Sequence, residues 1–281
     1  MKTLKTILIL CAAIFCFASC KKEANMTLMQ KTVFENANIH RINVNNGWEV
    51  TFVYDSLKSF VELEYSAYLE DFVSVREDNE WLIIGFNSKI NILSGSVFRA
   101  TVHISQKEVL YIMADNASVI TMEGPFELED TMDIDLRNAS VCNGFEVTSQ
   151  LCGINLTDGS QIYGVNFNGT NCTVYAHKGS SCKGYFNVEQ SFTTGVGISS
   201  QLIVFGGSMP SANIEVKNAG TINMVQAEVK DMNVYLDGVS EATVNVTETL
   251  SGFLLSGSTL YYKGHPQIDI DCSDDSQLIP F

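Results

Sequence analysis

A short unit recurs nine times between residues 110 and 278, and nothing else in the 281-residue chain constrains its fold as strongly. Its register mark is usually a small residue followed by serine: Ala117-Ser118, Ala139-Ser140, Gly159-Ser160, Gly179-Ser180, Ser199-Ser200, Ala219-Gly220, Val239-Ser240, Gly257-Ser258 and Asp275-Ser276. Successive marks lie 22, 20, 20, 20, 20, 20, 18 and 18 residues apart. A fixed period near 20 predicts a solenoid, in which each unit is one coil that cannot bury its apolar face alone.

The hydrophobic pattern follows the same register. With the serine position as zero, the residues at −8, −6, −4 and +2 are apolar in 34 of 36 cases, the exceptions being Thr194 and Gly252. Apolar residues at −8, −6 and −4 alternate with polar ones, the period of a strand with one buried face. Some copies add a second apolar pair at +5 and +7, such as Phe145 with Val147 and Val165 with Phe167. Each copy therefore predicts about three short strands. Stacking such coils pairs their backbone edges at roughly 4.8 Å, so nine coils form a prism about 40 Å long. Parallel crossovers favour the right hand, which selects a right-handed parallel β-helix. A left-handed helix of about 18-residue coils would require apolar residues at every sixth position, and these offsets do not match that pattern.

The first residues belong to a different grammar. Lys2 and Lys5 precede a short apolar run, Ile7 to Phe17, that ends in Phe17-Ala18-Ser19-Cys20. This is the layout of a leader peptide, and the apolar run is too short for a comfortable membrane span. Small residues before a cysteine resemble the lipobox of bacterial lipoproteins. That resemblance implies cleavage before Cys20 and a lipid on its thiol, hence attachment to the outer membrane of a Gram-negative bacterium. An ordinary secretory leader with an incidental cysteine is the plainer alternative. Lys21-Lys22-Glu23 reads either as a surface-export tag or as a solvated tether. The expected organisation is a leader over 1–19, a tether over 20–31 and a single domain over 32–281.

Charge narrows the partners. The chain carries −15, and losing Lys2 and Lys5 with the leader makes it −17. Such an acidic chain is unsuited to nucleic acid or to anionic lipid surfaces. Residues 32–100 lack the repeat mark but show amphipathic strands at Ile42–Val44, Trp48–Tyr54, Phe60–Glu64, Phe72–Val75 and Trp81–Phe86. Ser66–Asp71 reads as a helical turn. A solenoid needs its open end covered, so 32–100 is expected to be a cap with irregular first coils ahead of regular coils over 101–281.

Three segments carry a family resemblance: Trp48-Glu-Val-Thr-Phe-Val, Leu69-Glu-Asp-Phe-Val-Ser-Val and Trp81-Leu-Ile-Ile-Gly-Phe. They are followed by the serine-marked copies, which end in Ser-Gly-Ser-Thr-Leu-Tyr-Tyr-Lys-Gly-His-Pro at 256–266. The order is similar to that of the head GIN domain family of auto-transporter adhesins, a domain of unknown function from bacterial envelopes. The resemblance covers about residues 32–278 and implies a β-helix with an adhesive role. It brings no catalytic residue and no cofactor. Family members carry Ser-Gly-Ser-Gly at most copies, whereas here the mark has drifted to Asn-Ala-Ser, Asp-Gly-Ser or Asn-Ala-Gly.

Several residue groups could carry chemistry. Cys142, Cys152, Cys172, Cys182 and Cys272 all occupy inward offsets, as small hydrophobes do. Cys152 and Cys172 share an offset in adjacent coils, close enough for a disulfide, although parallel strands orient the Cβ atoms poorly for one. A reduced ladder is the alternative. The spacing of cysteines and of His40, His103, His177 and His265 shows no metal-ligand pattern. Equivalent serines repeated coil after coil are turn residues rather than nucleophiles. A polysaccharide lyase or hydrolase on this fold would need acids and a base converging on one outer face. The outward acids, such as Asp133/Asp135 and Asp269/Asp271, do not cluster across adjacent coils. What remains is an uncharged, hydrogen-bonding surface with aromatic islands at Tyr163, Tyr175, Tyr235, Phe253 and Tyr261, suited to a glycan or a protein. The expectation is a non-catalytic envelope protein that binds, with a glycan-active enzyme or a periplasm-facing structural or envelope-stress lipoprotein as alternatives.

Overall fold

The stack of coils is present, and it closes through a corner that explains the serine mark. In the computed structural model of the protein, residues 25–281 are described apart from 36, 37, 106 and 274. The expected leader and Cys20 lie outside the described residues. From Val109–Ala114 to Gln267–Cys272, parallel pairing links nine successive rungs, a β-solenoid of about 8 turns. These rungs, at offsets −8 to −4, form the first face. A second face starts at +1 and runs from Val119–Glu123 to Gln277–Pro280. A third face begins at Pro125–Glu127 and continues through the strand Phe145–Leu156. The inward offsets hold the core: Leu110, Ile134, Phe192 and Leu202 are among the buried residues. Thr194, the polar exception, is buried too, and its hydroxyl donates to the Val174 carbonyl at 2.8 Å.

At the corner between the first two faces, offsets −2 and −1 both adopt left-handed backbone. Examples are Asn116 and Ala117 (φ 55° and 61°), Asn138 and Ala139 (50° and 62°) and Asn218 and Ala219 (54° and 59°). Two consecutive positive φ values make a tight primed turn, which favours Asn, Asp and Gly. The serine closes it. Its N–H donates to the carbonyl three residues back, as from Ser160 to Thr157 at 3.3 Å, and its hydroxyl donates to that same oxygen at 2.8 Å. Ser118, Ser180 and Ser240 repeat the hydroxyl bond at 2.7, 2.7 and 2.5 Å. The corners are also stitched to one another. Ala117 N–H donates to the Asn138 carbonyl, Ala139 to Asp158 and Gly159 to Lys178, at 2.9, 2.9 and 3.0 Å. Buried backbone polar groups thus stay paired where the strands end.

The N-terminal end departs from chain order. Arg41–Val44 lies between Trp81–Phe86 and Val109–Ala114 in the first face, parallel to both. Glu49–Tyr54 lies between Phe98–Ile104 and Val119–Glu123 in the second. The first coil made is therefore the second in the stack. The chain steps outward to build the coil over 81–104, then returns across it to begin the regular series. Outside this, Val73–Asp78 runs antiparallel to Trp81–Phe86, and Phe60–Ser66 runs antiparallel to Phe98–Ile104. Reversed strands end the solenoid, because another parallel coil cannot follow them in the same register. A short helical turn at Ala67–Leu69 falls within the predicted Ser66–Asp71.

Two expectations need correction here. The tether over 20–31 is too long: Leu28–Val33 is a strand paired antiparallel with Phe60–Ser66. Its pairing satisfies an otherwise open edge, which a solvated linker would leave bare. The corner turn also occurs within 32–100, where no serine marks it. Asn46 and Gly47 are left-handed (φ 65° and 76°), and the next residue, Trp48, accepts the Val119 N–H at 2.9 Å, as Ser118 accepts that of Val141. Trp48 therefore fills the serine slot. It is fully buried against Phe86 and Phe98, with ring centroids 5.6 and 6.0 Å away.

Candidate binding face

The five aromatic residues expected to mark a binding surface divide between two faces. Tyr175, Tyr235 and Phe253 share offset −5 and so form a column on the first face. Tyr163 and Tyr261 lie on the second face, in the strands Gln161–His177 and Thr259–Lys263, several coils apart. The structure therefore brings three of them together. The first face also gains rings that the repeat marks did not expose. Tyr111 stands at −7, with the Arg41 guanidinium 5.4 Å from its ring centroid, and Trp81 lies just beyond, because the out-of-order coil places Arg41 opposite Tyr111.

Glycines in one coil leave space that side chains from the previous coil occupy. A Cβ on Gly195 would sit 2.8 Å from Cδ1 and 2.9 Å from Cε1 of Tyr175, so only glycine permits that ring position. Gly195 is buried under the ring while Tyr175 itself remains 42% exposed. His177 lies over Gly197 and Tyr185 over Gly206 in the same manner. The Asp133 carboxylate occupies the corresponding space above Gly153, and burial raises its pKa above the ordinary carboxylate value.

Tyr175 divides the face into two depressions. One, of about 640 Å³, runs from Trp81 and Tyr111 to Tyr175 over Asp133, Asp135 and Asn155. The other, of about 510 Å³, runs from Tyr175 to Tyr235 over Thr193, Asn213 and Asn233. Charges on the face are mostly neutralised locally. Arg137 pairs with Asp135, its Nε donating at 3.1 Å, and that hydrogen bond raises the Arg137 pKa. Lys217 pairs with Glu215, which raises its pKa, and its ammonium lies 4.8 Å from the Tyr235 centroid. The result is a pair of aromatic-walled troughs, one floored by amides, hydroxyls and the carboxylates of Asp133 and Asp135, the other by amides and hydroxyls beside the Glu215–Lys217 pair.

The other candidates are placed as follows. Cys142, Cys152, Cys172 and Cys182 are buried free thiols, whereas Cys272 is exposed on the last rung. Cys152 and Cys172 are register partners in adjacent strands but are not bonded. Burial pushes the Cys142 thiol up to about 11 and those of Cys172 and Cys182 upward as well, so none is a ready nucleophile. Asp269 and Asp271 are exposed on the last rung. His103 stacks on Phe60 at 3.9 Å and lies 3.2 Å from Glu62, at the N-terminal end rather than on the first face. Among the described residues, no group of three His, Cys, Asp or Glu side chains is placed to hold a metal ion. An exposed pair on the third face, Tyr185 and Phe205 with centroids 5.6 Å apart, was missed because that face carries no regular mark.

Fold and surface together define a β-solenoid whose long sides are available for contact. The chain belongs to the family described as "Putative auto-transporter adhesin, head GIN domain", which it matches over residues 38–266. No curated protein matches it significantly. Similar crystal structures include an adhesin of Parabacteroides merdae, described as putative, at 13% identity and a TM-score of 0.59. Two from Parabacteroides distasonis are described as a putative adhesin (15%, TM-score 0.60) and a putative lipid binding protein (12%, TM-score 0.61). Each comparison covers 92% of this chain and 98% of the other. At these identities the likeness establishes the shared fold.

Proposed function

We propose that this protein is a lipid-anchored adhesin of the Gram-negative outer envelope, which acts by binding and holds its partner along the first face. The observation that carries this reading is the continuous face from Trp81 to Tyr235: aromatic rings at intervals, amides, hydroxyls and the Asp133 carboxylate between them, and Asp135 and Glu215 closed locally in ion pairs. Membership of an adhesin family supports it, as does a leader ending at Cys20. A rigid rod with a long flat side suits an extended partner better than a compact one.

Protease shaving of intact cells, with the protein followed by antibody, tests both the location and the role. Cleavage on intact cells, together with loss of membrane attachment in Cys20→Ala, is the expected result. Protection until the outer membrane is broken would overturn the adhesin reading and direct the search to periplasmic partners.

A further inference from the structure

We infer that the first face is a subsite array for a neutral, linear glycan lying along the solenoid axis, with Tyr175 as the ring on which a central sugar stacks. This inference rests on the reading of that face as the binding surface and adds the chemical class of its ligand.

Tyr175 stands at the middle of the face. The Cδ1–Cε1 edge of its ring fills the space above Gly195, and the ring remains 42% exposed beside exposed amides. A sugar ring has an apolar C–H face and a rim of hydroxyls. It needs a flat aromatic surface and, at the edges, groups that both donate and accept. Asn213 and Asn233 supply such groups from exposed positions, one and two rungs beyond Gly195 on the neighbouring column. A protein partner would be expected to bury a cluster of large apolar residues at the centre of its contact. The lining between Tyr175 and Tyr235 is instead mostly polar: Thr193, Thr194, Asn213, Asn233, Glu215 and Lys217.

Spacing and charge specify the ligand further. Tyr111 and Tyr235 are six rungs apart, about 29 Å at the ordinary strand spacing, and Tyr175 stands between them. A trough of that length with a ring at each end and one within favours a chain molecule over a single sugar. The net charge of −15 repels polyanions, and the cations here, Arg41, Arg137 and Lys217, are already held by Glu80, Asp135 and Glu215. An uncharged polysaccharide meets no such penalty.

The test uses the detergent-solubilised full chain. Calorimetry measures its binding to neutral linear hexasaccharides of glucose, mannose and xylose, with oligogalacturonate as the anionic comparison. In parallel, intact cells are scored for adhesion to glycan-coated and protein-coated surfaces. At least one neutral hexasaccharide should bind, and Tyr175→Ala and Asn213→Ala should each weaken it by about tenfold or more. Lys183→Ala, on the second face, should leave it unchanged. Tyr175→Leu keeps apolar cover over Gly195 while removing the ring, so it reports stacking even where the alanine variant folds poorly. If no neutral hexasaccharide binds but the first-face variants still abolish adhesion, the face binds a different class and the glycan inference is overturned. Preference for oligogalacturonate overturns it as well. If adhesion is indifferent to every first-face variant, the binding reading itself fails.

Discussion

The regular coils from residue 109 onward and the N-terminal end before them solve the same problem, an unpaired sheet edge, in opposite ways. In the regular stack each coil repeats the last: inward residues meet their equivalents, and each corner donates to the next. Every contact there spans about one period. At the N-terminal end, pairing joins segments far apart in sequence, such as Glu49–Tyr54 with Val119–Glu123, and three pairings are antiparallel. The lesson is that a repeat can propagate a solenoid but cannot end one. Termination requires strands that break the repeat's own rules.

Removing a large buried ring sharpens this contrast most. Trp48→Ala and Phe192→Ala should each cost about 3–5 kcal/mol in denaturant unfolding. Their reach should differ. Trp48 packs on Phe86 and Phe98, so its loss should raise amide exchange throughout 41–54 and 81–104. Phe192, packed on Phe186, should raise it only in the adjoining coils. Protected amides over 81–104 in the Trp48 variant would show that the outer coil stands without its aromatic corner.

A smaller effect probes the corner. Ile198 and Val239 are β-branched yet left-handed, at φ 52° and 58°, and both are exposed. Ile198 holds the −2 slot, which is asparagine at residues 116, 138 and 218, and Val239 holds −1. Ile198→Asn should raise stability by about 1 kcal/mol by relieving steric strain, measured as a shift in the unfolding midpoint. Destabilisation would mean that Ile198 makes a contact worth more than the strain.

The smallest effect separates two serines that look identical in sequence. Ser180→Ala removes a hydroxyl bonded to the His177 carbonyl at 2.7 Å and should cost about 0.5–1.5 kcal/mol. The Ser140 hydroxyl is buried with no partner, so Ser140→Ala should be neutral or slightly stabilising. Equal costs for the two would mean that the corner values the serine for something other than its hydroxyl bond.

The sequence by itself determined the period, the inward offsets and the corner, because each is a local rule restated in every coil. Alternation at −8, −6 and −4 chooses the buried side of a strand, and Asn-Ala-Ser or Asp-Gly-Ser chooses a primed turn. The family was legible from these copies together with the segments at 48–53, 69–75 and 81–86, which lie outside the repeat. Only the tertiary structure decided that residues 41–54 lie inside the coil that follows them, that Trp48 occupies a serine slot and that Leu28–Val33 closes an edge. It alone joined Trp81 and Tyr111 to the Tyr175 column and separated Tyr163 and Tyr261 from it. These outcomes depend on pairing between segments with many residues between them. No short-range pattern records which distant edge a strand will meet, or which glycine a neighbouring coil will offer as space for a ring.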